Sequence, residues 1–319
     1  MNILASLHDT SGPSVAVELA SHRVSAASLE WRGGRPIVGA HAIETLPPGA
    51  LVPSLTADNI QDRAAVAAAL GRVFDRIGGR PRRIGLVVPD LVARVSIVRF
   101  EKVPQRSQDL DQLVRWQVRK TAPFPIEEGQ VSYVPGGRAA DGQDFIVSLA
   151  RRQVVEDYER LCAEAGAYAG IVDLATFNVI NVVLAGPAPP SSDWLLVNVA
   201  DDYASIAIVR GEHLIFFRNR ASETDGTLAD LVHQTAMYYE DRLKGEGFAR
   251  VFLAGGGHAA ADVGQVRRSL EERLTTPVQM VDPRPAAALT DRITAAPALL
   301  DTLAPLVGLL LRDRRMTVG

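Results

Sequence analysis

One pattern of residues occurs twice in this chain, about 180 positions apart, and it restricts the fold more than any other feature. The first copy, VAVELASHRVSAASLE, covers residues 15–30; the second, LLVNVADDYASIAIVRG, covers 195–211. Superposed, Glu18 meets Asn198, Ala20 meets Ala200 and Ser25 meets Ser205. In both copies apolar alternation with period two resumes after a short polar break, which predicts a strand, a tight turn and a returning strand. A hairpin repeated at this spacing predicts two similar domains. In the second half, the apolar strand VFLA runs into a triple glycine, Gly255, Gly256 and Gly257, before a helical pattern.

The 319 residues suffice for two domains that each bury a core. Apolar residues make up 47% and charged residues 22%, as in ordinary globular proteins. A net charge of -3 gives no general attraction to nucleic acid. The single cysteine, Cys162, excludes an internal disulfide and fits a reducing cytosol. Six histidines without ligand spacing predict no metal site. The N-terminus has no basic segment followed by a long apolar run, so it does not read as a signal peptide. IVDLATFNVINVVLAG is too short and polar to span a bilayer, and ALLDTLAPLVGLLL, broken by Asp301 and Pro305, is shorter than the ~20 residues required. Direct membrane insertion is not expected.

The coarse pattern is α/β. Strands are predicted at 14–20, 23–31, 36–44, 84–89, 93–100 and 144–150, and after the linker at 194–199, 204–209 and 213–219. A helix is predicted after Asp58 as N-cap, burying Val66, Leu70, Val73, Phe74 and Ile77 and ending at Gly78–Gly79. A second helix spans 107–121 and stops before Pro123, and a third carries Tyr158, Leu161 and Cys162. In the second half, helices are expected at 226–243, 262–274 and 298–312, the last apolar nearly all round and buried at the domain interface. GPAPPSSD, 186–193, is the clearest linker. Domains are therefore expected at 1–185 and 194–319.

WQVRKTAPFPIEEGQVSY (116–133), LPPGAL (46–51), AGAYAGIVDLATFNVIN (165–181), LAGGG (253–257) and GLLLR (308–312) together resemble the type IV pilus assembly protein PilM family. That family is related to the cell-division protein FtsA and to actin-like ATPases. The resemblance covers about residues 15–312 and implies a two-domain actin-like fold, with an extra subdomain at about 101–143 inserted in the first domain. It also implies an adaptor beneath the inner membrane, cytoplasmic and peripheral through a partner. The partners implied are the N-terminal segment of a PilN-like bitopic inner-membrane protein and other pilus assembly proteins.

In actin-like ATPases each hairpin carries an Asp-x-Gly sequence, one carboxylate orienting magnesium-bound water, and a glycine turn lies against the purine. By this resemblance the nucleotide positions here are Glu18, Ala20, Ser21, Asn198, Ala200, Asp201, Gly226 and Gly255–Gly257. The chain departs from the pattern: the first hairpin reads Glu18-Leu19-Ala20, a family lysine is replaced by Ser25, and the second hairpin reads Asn198-Val199-Ala200. Each alanine adds a Cβ where phosphate should approach and disfavours any positive φ in the turn. ATP or ADP with Mg2+ is therefore expected to bind weakly or not at all, with little turnover. A second register would put DTSGPS in the first turn, but it leaves too many residues before LPPGAL. His22 reads as a turn residue that either meets an anion or is solvated, and the adjacent acids Asp201 and Asp202 either replace a lost carboxylate or are simply exposed. Trp116 lies off its helix's buried stripe and, with Pro123, Phe124 and Pro125, marks a candidate partner contact. An active ATPase, an FtsA-like filament protein and a GspL-like secretion platform component remain the alternative readings.

Overall fold

The structure, a computed structural model, describes residues 12–79, 81–222, 224, 226–256 and 263–312. It begins with a three-stranded meander, β1 (Val15–Ala20), β2 (Arg23–Arg32) and β3 (Arg35–Thr45). Helix α1 (Arg63–Arg76) crosses back, and β4 (Arg83–Val88) joins β1 in parallel. The chain then leaves this sheet for β5 (Ala93–Phe100), α2 (Ser107–Arg119), β6 (Gly129–Ala139) and β7 (Gly142–Arg151). These strands form a small sheet of order β5-β7-β6, which shares an apolar cluster with α2 through Phe100, Val114, Val118, Phe145 and Leu149. Helix α3 (Arg152–Glu164), β8 (Tyr168–Leu174) and α4 (Ala175–Leu184) return to the first sheet, where β8 pairs with β4.

The second half repeats the scheme. β9 (Asp193–Val199), β10 (Tyr203–Arg210) and β11 (His213–Ala221) form a meander, α5 (Leu228–Leu243) crosses, β12 (Arg250–Gly255) pairs in parallel with β9, and α6 (Val263–Leu274) leads to β13 (Val278–Met280). The order β3-β2-β1-β4-β8 in one sheet matches β11-β10-β9-β12-β13 in the other. The hairpin registers also match, since Glu18 faces Ser25 across β1–β2 and Asn198 faces Ser205 across β9–β10. That is the superposition read from the sequence, and it excludes the register with DTSGPS in the turn.

Alternation along each strand divides the core. Val17 and Leu19 of β1 face α1 and α3, packing with Leu70, Phe74 and Leu161, while Ala16 faces the other way. On β9, Leu195 and Val197 face α5 and α6, while Trp194 and Leu196 turn inward. The inward faces of both sheets share one cluster with α4 and α7 (Pro297–Leu311). Before α7 the chain returns to the first sheet, where β14 (Ala288–Leu289) pairs with β3. α7 then packs on α4 and reaches β1, β2, β4 and β12. It is buried almost throughout, as its all-round apolar sequence requires, and it continues through Pro305.

The start of α1 differs from the expectation. Its N-cap is Asp62, whose carboxylate accepts from Ala65 N–H at 2.9 Å, rather than Asp58. Asn59 pins the preceding loop by donating to the Ser54 and Ala57 carbonyls, and Leu51 bridges Ile60. Residues 58–61 are thereby kept out of the helix, and the next carboxylate caps it. No helix among the described residues is long and apolar enough to cross a membrane.

Candidate functional site

The tips of the two homologous hairpins meet. Ser21 Oγ donates to Asp202 Oδ2 at 2.7 Å, and the His22 imidazole Nδ1 pairs with the Asp201 carboxylate. Arg23 Nη1 lies 3.1 Å from His22 Nε2, which selects the tautomer with its proton on Nδ1. Burial, and then the Arg23 guanidinium, hold this imidazole below its usual pKa against the opposing pull of Asp201. Behind the tips lies a cleft lined by Glu18, Ala20, Asn198, Ala200, Gly255 and Gly256, closed at its back by Asp301 and Pro305 of α7. Its free volume is about 50 Å³.

Glu18 is buried, and its carboxylate is already engaged. Oε2 accepts from Arg23 Nη2 at 2.9 Å and from Ser25 Oγ at 3.1 Å. Asn198 is also buried and donates to Thr176 Oγ1 at 2.8 Å. Thr176 Oγ1 in turn donates to Asp90 Oδ2, and Thr176 N–H donates to Asp90 Oδ1 at 3.1 Å. Ser205 Oγ, opposite Asn198 in the hairpin, donates to Asp90 Oδ2 at 2.6 Å, and Asn219 donates to the Asp90 backbone carbonyl at 2.9 Å. Asp90 thus collects donors from α4, β10 and β11 and joins the two halves of the chain through one fully buried carboxyl. Burial raises its pKa to about 6, even though the hydroxyl donors pull the other way.

Neither alanine has a positive φ: among the described residues only Lys244 and Thr275 do so without being glycine. The backbone strain expected at Ala20 and Ala200 is therefore absent, because two-residue loops at 21–22 and 201–202 leave both alanines in strand-like geometry. Gly255 is different. At φ +70° it passes so close to β9 that a Cβ would stand 1.9 Å from the Val199 carbonyl oxygen. Gly256 N–H bonds to that same carbonyl at 3.1 Å. The turn therefore needs its glycines for strand packing, whatever it binds.

The structure gathers Glu18, Ala20, Ser21, Asn198, Ala200, Asp201, Gly255 and Gly256 around one cleft. Gly257 lies outside the described residues. Gly226 is not among the cleft's lining; at φ +97° it precedes the Thr227 N-cap of α5 and accepts from Arg220. Trp116 is 57% exposed, with Lys120 Nζ 4.3 Å over its ring. Pro123 and Pro125 are exposed, whereas Phe124 packs against the cluster beneath α2. Arg312 donates to the partly buried Asp173 at 2.6 Å.

Asp90 was missed in the sequence. The available signal was a lone acid just after an apolar strand, in GLVVPD. Also missed was a groove of about 620 Å³ between β5 and β11. Its walls are Ala93–Ser96 on one side and Phe217–Asn219 on the other, with Pro53–Thr56, Leu91 and Thr121 completing it. Both flanking strands are sheet edges: β5 pairs only with β7, and β11 only with β10, among the described residues.

The fold resembles that in a structure titled "PilM-PilN type IV pilus biogenesis complex", with a TM-score of 0.78 and 17% identity over 97% of this chain and 99% of that one. A protein of unknown function with an actin-like ATPase fold from Bacteroides thetaiotaomicron is more distant, with a TM-score of 0.50 and 10% identity over 90% of this chain and 95% of that one. The paired meanders, each extended by parallel strands around a central cleft, are thus an actin-like arrangement. The sequence profile of the type IV pilus assembly protein PilM family matches residues 16–241. Fold, duplicated hairpins and sequence agree, and the chain belongs to the type IV pilus assembly protein PilM family.

Proposed function

We propose that this chain is an adaptor of type IV pilus assembly that holds an extended N-terminal segment of a PilN-like bitopic inner-membrane protein. The observation that carries this reading is the groove between β5 and β11. Its volume of about 620 Å³ lies in the range of ligand sites, ~300–1,000 Å³. An extended segment could use the unpaired backbone of an edge strand and seat apolar side chains on Leu55, Leu91 and Val95. Pro123, Phe124 and Pro125 follow Thr121 at the groove wall and stiffen that end, and Trp116 offers an aromatic contact beyond it for the same or another pilus protein. Through such a partner the chain would sit at the inner face of the membrane.

The test is capture of a synthetic peptide carrying the N-terminal segment of the PilN-like protein from the same genome. Leu55→Asp is expected to weaken binding about tenfold or more, by placing a charge against the apolar wall. Phe124→Ala separates an anchor from an internal packing residue, since its loss weakens capture only in the first case. Equal affinity of Leu55→Asp and the parent protein would move the partner off this groove.

In the same proposal the cleft is a degenerate nucleotide site. About 50 Å³ is several times smaller than sites that hold drug-sized ligands, and the Glu18 carboxylate is paired with Arg23 instead of facing a metal's water shell. Asn198 brings no charge and spends its amide on Thr176. With ATP and magnesium, the purified protein is expected to release phosphate no faster than a protein-free control. Turnover abolished by Glu18→Ala would restore the ATPase reading.

A further inference from the structure

We infer that Ser21, His22, Asp201 and Asp202 form a side-chain clamp that holds the two halves closed without a nucleotide and keeps the walls of the partner groove in register. The functional half of this inference rests on the groove reading above. The contacts are reciprocal between homologous turns: two neighbouring residues of the first hairpin engage two neighbouring residues of the second, about 180 positions away. In an actin-like arrangement a ligand between the two hairpins would tie the domains together. Here the tips touch directly, and the space behind them is only about 50 Å³.

The clamp is supported from behind. Arg23 holds His22 by Nη1 and Glu18 by Nη2, so the first tip is anchored to its own strand. Ala200 N–H donates to the Tyr203 carbonyl at 2.8 Å, and Ser222 N–H to the Asp202 carbonyl at 2.8 Å, which fixes the second tip. Both tips therefore present their side chains from rigid turns, and little conformational entropy is lost when they meet.

Closure at the tips matters at the groove because its two long walls come from different halves of the chain. β5 belongs to the segment that leaves the first sheet, and β11 is the edge of the second. β11 also touches β5 and β6, so the small sheet rests on the second half. Parting the hairpins would change the spacing between β5 and β11, and a segment lying between two edges senses that spacing directly.

The double variant Asp201→Ala/Asp202→Ala removes both acceptors from the clamp. Hydrogen exchange across residues 18–25 and 198–205 is expected to accelerate about tenfold or more, with the helices α1 and α5 unchanged. A second protein, Ser21→Cys/Asp202→Cys, replaces the 2.7 Å contact by a covalent one on oxidation with diamide. Cys162 is buried and does not compete. The oxidised protein should cross-link and exchange as slowly as the parent. The N-terminal peptide of the PilN-like protein should bind the alanine variant about tenfold more weakly and the cross-linked protein as tightly as the parent. Unchanged exchange in the alanine variant, or failure to cross-link, would overturn the clamp. Accelerated exchange with unchanged peptide affinity would overturn its link to the groove. If the peptide binds none of the three proteins while exchange behaves as expected, the clamp stands and the groove reading falls.

Discussion

Asp90→Ala is expected to cost about 3–4 kcal/mol of stability, because three donors lose their acceptor inside the protein at once. Thr176 N–H, Thr176 Oγ1 and Ser205 Oγ all donate to this carboxylate, and Asn198 is held through Thr176. The donors come from both halves of the chain, so the loss should appear as a lower unfolding temperature together with faster exchange at the interface between them. Asp90→Asn keeps an acceptor oxygen and should cost much less. The carboxyl also gives the comparison a pH signature. Its folded pKa, about 6, lies above the ordinary 3.8 of the unfolded chain, so the folded state binds the proton more tightly. The proton-linked part of Asp90's contribution is full below the unfolded value and is lost as pH rises through about 6. The Asn variant cannot titrate and should lack this component when unfolding is compared at pH 5 and pH 7. Equal pH slopes for the parent and Asp90→Asn would show that the carboxyl is not desolvated as described.

Gly308→Ala should be comparably damaging for a steric reason. A Cβ at this position would stand 1.8 Å from the Asn178 carbonyl oxygen, so α7 and α4 touch backbone to backbone. Separating two packed helices in the layer shared by both sheets is expected to cost about 3 kcal/mol. The opposite sign is expected for Gly71→Ala, in the middle of α1, where a Cβ meets nothing within 4 Å. There the better helix propensity of alanine should add about 0.5–1 kcal/mol. Thermal unfolding of the two single variants checks both, and a Gly308→Ala protein as stable as the parent would show that the helices are not in contact.

Some of this was legible because it depends on local pattern. Strand alternation fixed β1, β2, β9 and β10 to within a residue or two, and the superposition of Glu18 on Asn198 reappears in the matching registers of their hairpins. α1, α2 and α5 followed from apolar spacing, although α1's start moved by one acid because the Asn59 hydrogen bonds and the Leu51–Ile60 bridge hold the preceding loop. β8 and α4 had no such signature. IVDLATFNVINVVL is buried on several faces between the first sheet and α7, and its buried positions include the polar Thr176 and Asn178, so no apolar period marks it.

The cleft divides along the same line. Sequence alone determined that two homologous hairpins and a glycine turn exist, that the hairpins read Glu18-Leu19-Ala20 and Asn198-Val199-Ala200, and that the chain is a member of its family. Those properties are carried by residue identity and by neighbours a few positions apart. Tertiary structure decided how these residues are used: Glu18 is held by Arg23, Asn198 is joined through Thr176 to Asp90, and the tips at Ser21–His22 and Asp201–Asp202 close on each other. It also decided that β5 and β11 lie on either side of a groove. Apart from the Glu18–Arg23 pair within one hairpin, these relations join residues from roughly 20 to 180 positions apart. Such pairs leave no mark on composition or periodicity, and they arise only when two separately formed sheets pack around a shared helical layer.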